Sequence, residues 1–271
     1  MDTVQDAGVA HLPRITVVED YDKLSQRAAN VVAEVLAQKP DAVVTLPTGD
    51  TPSGMYKELV RRITSNELDF SRAQFFCLDD YLGSTPEDEA SLTRWLRSEF
   101  LVPGNLPAKN IHYMPTTAAD PDTAAAGYDR EIAEMGGFDL AVVGLGPNGH
   151  IGFNEPGSLP NDPTRVVDLE VATMAQSAAY WDGKATIPTQ AMTTGFGTIL
   201  KARRIVLIVS GKRKAEIVRA ALEEPMTSDV PGSWLVQAGN RLEVILDQEA
   251  ASLLSARWRD LPSPQCPTGG D

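Results

Sequence analysis

The sequence has few of the residues that build disulfide scaffolds and metal sites. Only two of its 271 residues are cysteine, Cys77 and Cys266, and only three are histidine. Two cysteines are too few for a disulfide framework, and no Cys-x-x-Cys or His-x-x-x-His spacing offers metal ligands. The sequence therefore predicts a fold that depends on neither disulfides nor a metal.

The sequence also lacks a basic excess and long apolar runs. It has 24 Lys and Arg against 37 Asp and Glu, a net charge of −13, which argues against binding nucleic acid or an anionic membrane through bulk charge. No apolar run approaches the ~18–20 residues of a membrane span. The N-terminus, MDTVQDAGVAHLPR, has neither the basic start nor the apolar core of a signal peptide. We expect a soluble, cytoplasmic protein that contacts neither nucleic acid nor membrane.

Short apolar stretches alternate with longer segments of helical periodicity. Strands are predicted at 15–19, 42–47, 74–78, 111–114, 138–146, 205–210 and 242–247, and helices at 21–38, 54–63, 91–100, 120–135 and 212–222. This alternation predicts an α/β fold of three layers, a mostly parallel, Rossmann-like sheet with helices on both faces. We expect one domain over 14–260, a flexible N-terminus over 1–13 and a disordered, Pro/Gly-rich tail over 261–271.

Ligands of such sheets bind beyond the carboxyl ends of the strands, so motifs that directly follow strands are the candidates for chemistry. The first is LPTGDTP (46–52), between a strand and a helix. Its backbone N–H groups and threonine hydroxyls could surround an anion at the helix N-terminus. The same residues would also suit a plain turn, with Thr51 as N-cap and Pro52 at the first helical position.

The second motif is LDDY (78–81), which also follows an apolar strand. A carboxylate at a strand end is well placed to act as a general base. Successive strand residues point in opposite directions, so we expect only one of the two acids to face a pocket. A helix cap or a solvated turn is the structural alternative.

The third motif, GLGPNGHIGFNEPG (144–157), follows the most apolar strand. It contains the spacing Gly-x-Gly-x-x-Gly, but glycine and proline interrupt the helix that a dinucleotide site would need after it. The segment is better explained as a polar loop that holds His150 and Glu155. A nearby carboxylate can orient an imidazole and stabilise its protonated form.

The fourth motif is SGKRKAE (210–216), at another junction of a strand and a helix. Its three consecutive cations, Lys212, Arg213 and Lys214, could bind a phosphate. In a chain of net charge −13 such a cluster is unusual, although a solvated basic turn would look the same.

Together these motifs resemble the glucosamine-6-phosphate deaminase/isomerase family, over about residues 15–250. LPTGDTPSGMY is similar to the family's LPTGGTPxGMY, and LDDY resembles its MDEY or LDEY. GLGPNGHIGFNEP matches GxGxNGHIxFNEP almost letter for letter. The family includes galactosamine-6-phosphate isomerases and has the 6-phosphogluconolactonases as distant relatives. The Phe-Asn-Glu-Pro continuation favours the amino-sugar branch.

The resemblance implies roles for four catalytic residues. Asp79 would move a proton between C2 and C1 of the open-chain sugar. His150 would assist ring opening, and Glu155 would orient and polarise it. Asn148 stands where some members carry Asp, so it can accept a hydrogen bond but adds no charge.

The resemblance also implies a phosphate site and the absence of a cofactor. Lys214 would meet the 6-phosphate, and the loop of Thr48, Gly49, Asp50 and Thr51 would surround it. The products would be a ketose 6-phosphate and ammonia, formed without metal or nucleotide. The partner is thus a small sugar phosphate, and since the family includes monomers and hexamers, a homo-oligomer stays open.

Two departures from the family pattern fall in this implied phosphate site. Glucosamine-type members carry an Arg near the position of Met174. This sequence lacks that Arg, as the galactosamine-type relatives do. Asp50 stands where the family has Gly, Ser or Ala, and an inward carboxylate ~5 Å from a phosphate charge would cost about 3 kcal/mol. Arg165, Lys184 and Lys212 are candidate replacement cations.

Three functions therefore remain open. The leading one is an amino-sugar-phosphate deaminase/isomerase, acting on either the gluco or the galacto sugar. The second is a hydrolase like the 6-phosphogluconolactonases, in which His150 would assist attack of water on a lactone. The third is a sugar-phosphate binder without catalysis, although only about 14 residues precede the first strand, too few for the DNA-binding module of a regulator.

Overall fold

Seven parallel strands form the sheet that carries the site. A computed structural model describes residues 12–180 and 188–259. Within these two ranges there are ten strands: β1 (Arg14–Val18), β2 (Val43–Leu46), β3 (Gln74–Cys77), β4 (Asp79–Tyr81), β5 (Ile111–His112), β6 (Leu140–Gly144), β7 (Arg165–Asp168), β8 (Gln190–Thr193), β9 (Arg204–Val209) and β10 (Leu242–Asp247). The large sheet has the order β1-β10-β9-β6-β2-β3-β5, and every pairing in it is parallel.

Helices cover both faces of this sheet, as the alternation predicts. They are α1 (Tyr21–Gln38), α2 (Asp50–Thr64), α3 (Leu92–Leu96), α4 (Pro121–Glu134), α5 (Val171–Tyr180), α6 (Phe196–Ile199), α7 (Ala215–Glu223) and α8 (Ala256–Arg259). Apolar residues of α1, α2 and α3 form one core, and those of α4, α6 and α7 form the other. In β10, Val244 joins one core and the next residue, Ile245, joins the other. The three-layer α/β prediction is confirmed.

A second sheet of three antiparallel strands, in the order β4-β8-β7, was not predicted. Only Leu78 separates β3 of the large sheet from β4 of the small one. The backbone N–H of Thr194 donates to the carbonyl of Leu78 at 2.9 Å and strengthens this junction. Hence the chain that leaves the large sheet at its carboxyl edge starts the small sheet at Asp79.

Several predicted boundaries are wrong by a few residues. The helix predicted at 54–63 begins at Asp50, with Gly49 rather than Thr51 at its N-cap, because Gly49 readily adopts its positive φ of 106°. The helix predicted at 91–100 has Ser91 as its N-cap but turns π-helical from Arg97 to Leu101. The helix predicted at 212–222 opens as a 3₁₀ turn, Lys212–Lys214, before α7.

The predicted termini fall mostly outside the described residues. This holds for residues 1–11 of the predicted N-terminal segment and for the whole predicted tail, 261–271. In the described ranges, every helix is too short or too polar to pass through a lipid bilayer.

Candidate active site

A cavity of about 620 Å³ opens at the carboxyl edge of the large sheet. Its walls come from the segments that follow four strands of this sheet, β2, β3, β6 and β9, and from helices α1, α3 and α5. The site residues predicted from the sequence that line it are Thr48, Gly49, Asp50, Thr51, Asp79, His150 and Lys214. All four motifs therefore contribute to one cavity.

Asp79 is the buried acid of this cavity. It begins β4, its side chain is 5% exposed, and its Oδ1 has no hydrogen-bond partner within the described part of the chain. Burial, together with the neighbouring charge of Asp80, raises the pKa of Asp79 to about 8. A methyl group on Gly152 would lie 2.8 Å from Asp79 Oδ2, so this glycine leaves room for the carboxyl group.

Asp80, the second acid of the same motif, points away from the cavity. Its carboxylate accepts hydrogen bonds from the hydroxyl of Ser91 at 2.8 Å and from the N–H groups of Leu92 at 2.9 Å and Thr93 at 3.0 Å. Asp80 thus caps helix α3, which brings Leu92 and Trp95 to the cavity wall. The two adjacent acids have different environments because successive strand residues face opposite sides.

His150 is held by Glu155. The distance from His150 Nδ1 to Glu155 Oε2 is 3.2 Å, so Nε2 is the ring nitrogen that this contact leaves free. Burial alone would raise the pKa of Glu155. The hydrogen bond and charge interaction with His150, together with the hydrogen bonds from Thr173 and Asn148, lower the pKa by more than burial raises it. The net effect is a pKa below the usual value, which keeps Glu155 ionised beside the imidazole.

Asn148 acts on Glu155 and on the loop backbone rather than on the imidazole ring. Its Nδ2 donates to Glu155 Oε2 at 2.7 Å and to Glu170 Oε2 at 3.0 Å. Its Oδ1 accepts from the backbone N–H of His150 at 3.1 Å. Neither Asn148 nor Glu155 lines the cavity, so both stand behind His150.

The N-terminus of α2 presents unused backbone donors to the cavity. No side chain caps this end of the helix, and within the described ranges the N–H groups of Gly49, Asp50 and Thr51 donate to no protein acceptor. The N-terminus of a 15-residue helix with free N–H groups favours a bound anion. Asp50 is exposed at the rim of the cavity, so solvent screens its carboxylate.

Two cations from the segment after β9 line the same cavity as this helix end. Lys214 is half-buried, and its Nζ donates to the carbonyl of Leu145 at 2.6 Å. Burial, and secondarily the charge of Arg213, lowers the pKa of Lys214 to about 8. Arg213, the middle residue of the basic cluster 212–214, also lines the cavity, although the resemblance assigned only Lys214 to the phosphate.

Of the three candidate replacement cations, the two that lie in the described ranges, Arg165 and Lys212, do not line the cavity. Arg165 donates to Asn154 and Ser158 at 2.9 Å each, and Lys212 is exposed away from the cavity lining. Lys184 lies outside the described residues. Met174, at the position of the missing Arg, packs against an apolar cluster under the small sheet.

Aromatic and hydroxyl-bearing side chains that were not predicted as site residues also line the cavity. They are Tyr21, Tyr81, Trp95, Phe153, Thr173 and Ser177. Tyr81 is the last residue of the LDDY motif, and Phe153 lies inside the loop 144–157, so their position in these motifs could have indicated them. Nothing in the local pattern distinguishes Tyr21 or Trp95 from core residues. Among the described residues, no group of three or more His, Cys, Asp or Glu side chains is placed to hold a metal ion.

A buried carboxyl group, an oriented imidazole and an anion-binding helix end suit acid–base chemistry on a small anionic molecule. This places the chain among α/β enzymes that act on such molecules at the carboxyl edge of a parallel sheet. The chain belongs to the family of glucosamine-6-phosphate isomerases and 6-phosphogluconolactonases, whose model matches residues 19–244.

Similar proteins confirm the resemblance. A glucosamine-6-phosphate deaminase of Rhodopirellula baltica is 39% identical over 250 residues, 92% of this chain and 99% of the relative. One from Bacillus velezensis is 41% identical over 232 residues, 85% of this chain and 95% of the relative. A solved monomeric glucosamine-6-phosphate deaminase superposes with a TM-score of 0.84 at 35% identity, covering 89% of this chain and 99% of that one. A 6-phosphogluconolactonase of Trypanosoma brucei, 20% identical with a TM-score of 0.70, shares the fold.

Proposed function

We propose that this chain is a glucosamine-6-phosphate deaminase, which converts the amino-sugar phosphate and water to a ketose 6-phosphate and ammonia. The observation that carries the proposal is the buried Asp79 carboxyl group, with a free Oδ1, in the same cavity as His150 and the N-terminus of α2. Such a carboxyl group can act on a carbon-bound proton away from bulk water.

Ring opening is the first step, and we assign it to His150. Because Glu155 engages Nδ1 at 3.2 Å, Nε2 is free to exchange a proton with the sugar. The C1 hydroxyl loses its proton, the bond between C1 and the ring oxygen breaks, and the ring oxygen gains a proton. Glu155 stabilises the imidazolium that forms during this transfer.

Proton transfer between carbons is the second step, and we assign it to Asp79. The ionised carboxylate takes the proton from C2 of the open-chain sugar and returns it to C1. In this exchange the C2 amine loses a proton and becomes an imine, and the C1 carbonyl oxygen gains a proton and becomes a hydroxyl. Water then adds to the imine carbon and ammonia leaves, which gives the ketose. A single carboxylate serves both carbons because they are neighbours, and the burial of Asp79 shields the transferred proton from bulk water.

The substrate phosphate is assigned to the part of the cavity wall formed by the N-terminus of α2. The N–H groups of Gly49, Asp50 and Thr51, with Lys214 and Arg213, supply donors and positive charge there. Binding energy at this remote group can orient the reacting carbons, so losing the phosphate contacts would reduce turnover as well as affinity.

The defining experiment measures ammonia release from glucosamine-6-phosphate and galactosamine-6-phosphate by the purified protein. We expect turnover of the gluco sugar. Faster turnover of the galacto sugar would move the assignment to the other amino sugar, with Met174 and Asp50 as its markers. Hydrolysis of 6-phosphogluconolactone without ammonia release from either sugar would replace the proposal with the lactonase alternative.

The pH profile should follow Asp79 and Lys214. Proton abstraction needs ionised Asp79, whose pKa is about 8 in the free protein, so kcat/KM should rise with pH towards 8. Phosphate binding needs protonated Lys214, whose pKa is also about 8, so kcat/KM should fall above it. The expected result is a narrow bell centred near pH 8. Lys214→Arg, which stays protonated, should move only the alkaline limb upward, and a profile flat from pH 6 to 8 would contradict these roles.

Replacing Asp50 should strengthen phosphate binding. Asp50→Asn removes an exposed negative charge beside the anion site, so KM for the sugar phosphate should fall by about 2- to 5-fold at low salt. The gain should fade as salt is raised. Asp122→Asn is the matched control, because Asp122 is an exposed acid in the first turn of α4, away from the cavity. An equal change in both variants would show an effect of net charge alone.

A further inference from the structure

Two tyrosine hydroxyls hold the ends of the anion-binding loop, residues 47–50. Tyr56, within α2, donates its hydroxyl to the carbonyl of Pro47 at 2.6 Å. Tyr21, the first residue of α1, donates its hydroxyl to the carbonyl of Asp50 at 3.0 Å. One phenol therefore engages the carbonyl at each end of the loop.

The Tyr21 hydroxyl also reaches into the first turn of α2. It accepts a hydrogen bond from the N–H of Gly54 at 2.8 Å, so its oxygen joins a carbonyl and an N–H group that lie one helical turn apart. A methyl group on Gly54 would lie 3.1 Å from this hydroxyl and 2.1 Å from Ser25 Oγ. Gly54 therefore permits the close approach of α1 to α2 that this bridge requires.

These contacts fix the direction of the peptide groups in the loop. A peptide unit presents its N–H on one side and its carbonyl on the other, so a rotation that frees the Pro47 or Asp50 carbonyl would turn a negative dipole towards the anion. Each phenol has a single proton, and both protons are used on these carbonyls. Neither hydroxyl is therefore left to donate to a bound anion directly.

We propose that Tyr21 and Tyr56 are positioning residues, an inference that rests on the phosphate-binding part of the proposed function. They hold the Pro47 and Asp50 carbonyls at the two ends of loop 47–50, and with them the Thr48 and Thr51 N–H groups of the same two peptide units, so that the donors at the start of α2 face the substrate phosphate. Tyr56 is fully buried, and its burial raises its pKa well above the usual value. It therefore remains a donor over the working pH range.

A third tyrosine provides the control. The hydroxyl of Tyr128 donates to the carbonyls of Cys77 at 2.7 Å and His112 at 3.0 Å, and its ring is buried in the opposite core. It does not line the cavity or touch loop 47–50. Tyr128→Phe thus removes a comparable hydroxyl and should lower stability without altering the anion site.

The experiment titrates inorganic phosphate into the wild-type protein and the variants Tyr21→Phe, Tyr56→Phe and Tyr128→Phe by calorimetry, with a melting curve for each. We expect the Kd for phosphate to rise by about 3- to 10-fold in the first two, the value of one modest hydrogen bond. Tyr128→Phe should lose melting temperature and keep the wild-type Kd. Three results would overturn the inference. They are an unchanged Kd in both Tyr21→Phe and Tyr56→Phe, an equal rise of Kd in Tyr128→Phe, and no phosphate binding by the wild-type protein.

Because this titration needs no turnover, it separates the inference from the proposed function. Weakened phosphate binding in a protein that releases no ammonia would retain the positioning role and remove the deaminase assignment. If ammonia is released, KM should rise in Tyr21→Phe and Tyr56→Phe by a larger factor than kcat falls. A loss confined to kcat would contradict the role, because it would place the effect at the reacting carbons instead.

Discussion

Asp79→Asn is expected to lower kcat for ammonia release by about 10³-fold, with KM nearly unchanged. The amide has the shape of the carboxyl group but cannot take the C2 proton, and the groups assigned to the phosphate are unchanged. Steady-state kinetics on glucosamine-6-phosphate measures the effect. A variant that retains a tenth of the wild-type kcat would remove Asp79 from the role of base.

The same variant should be more stable than the wild type above pH 4. The folded-state pKa of Asp79, about 8, is above its unfolded value, so the folded protein holds a proton that the unfolded chain releases. Wild-type stability therefore falls as pH rises from about 4 to 8, by at most about 1.4 kcal/mol per pH unit from this group. Asn has no such titration. Denaturant unfolding at pH 5 and pH 8 should show the difference growing, and a constant difference would contradict the burial effect.

Gly146→Ala is expected to lower kcat by about 10²-fold while the protein stays folded. The new methyl carbon would lie 2.1 Å from His150 Cδ2 and Nε2, so the ring must turn away from its position against Glu155. The backbone of Gly146 needs no positive φ, so alanine adds little strain there. The defect should therefore come from the displaced imidazole.

A double-mutant cycle checks that assignment. In a His150→Ala background the ring is gone, and Gly146→Ala should then have little further effect on kcat. If the two losses multiply instead, the glycine acts on turnover by another route. Circular dichroism and melting temperatures of the three variants establish that each remains folded.

The large sheet could be predicted from sequence because its strands are buried on both faces. Continuous apolar runs such as 140–143 and 244–246 have no solvent face, and this is typical of a central parallel strand. The small sheet escaped prediction because β4 and β8 are three and four residues long and contain Asp79, Asp80 and Thr193. Their pairing depends on distant segments, which a local pattern does not contain.

The positions of the motifs could be predicted, but not the direction of each side chain. Strand ends and the rule for ligands at parallel sheets were enough to bring Asp79, His150 and Lys214 to one edge. Asp80 caps α3, a role that the sequence offered for the LDDY motif without showing which of the two acids takes it. The role of Tyr21 was not predicted, because it bridges the start of α2 through tertiary contacts. A phenol that supports a loop from another helix leaves no spacing signal in the sequence.

The junction at Leu78 divides the proposed machinery between two sheets. The proton-transferring carboxyl group belongs to the three-stranded sheet, whereas the phosphate anchors follow strands of the seven-stranded one. A bound sugar phosphate that contacts both groups would link the two sheets. At 100 times its Kd it would raise the free energy of unfolding by about 2.7 kcal/mol. A mutation that loosens the junction at Leu78 should therefore weaken substrate binding and also disturb the position of the Asp79 carboxyl group.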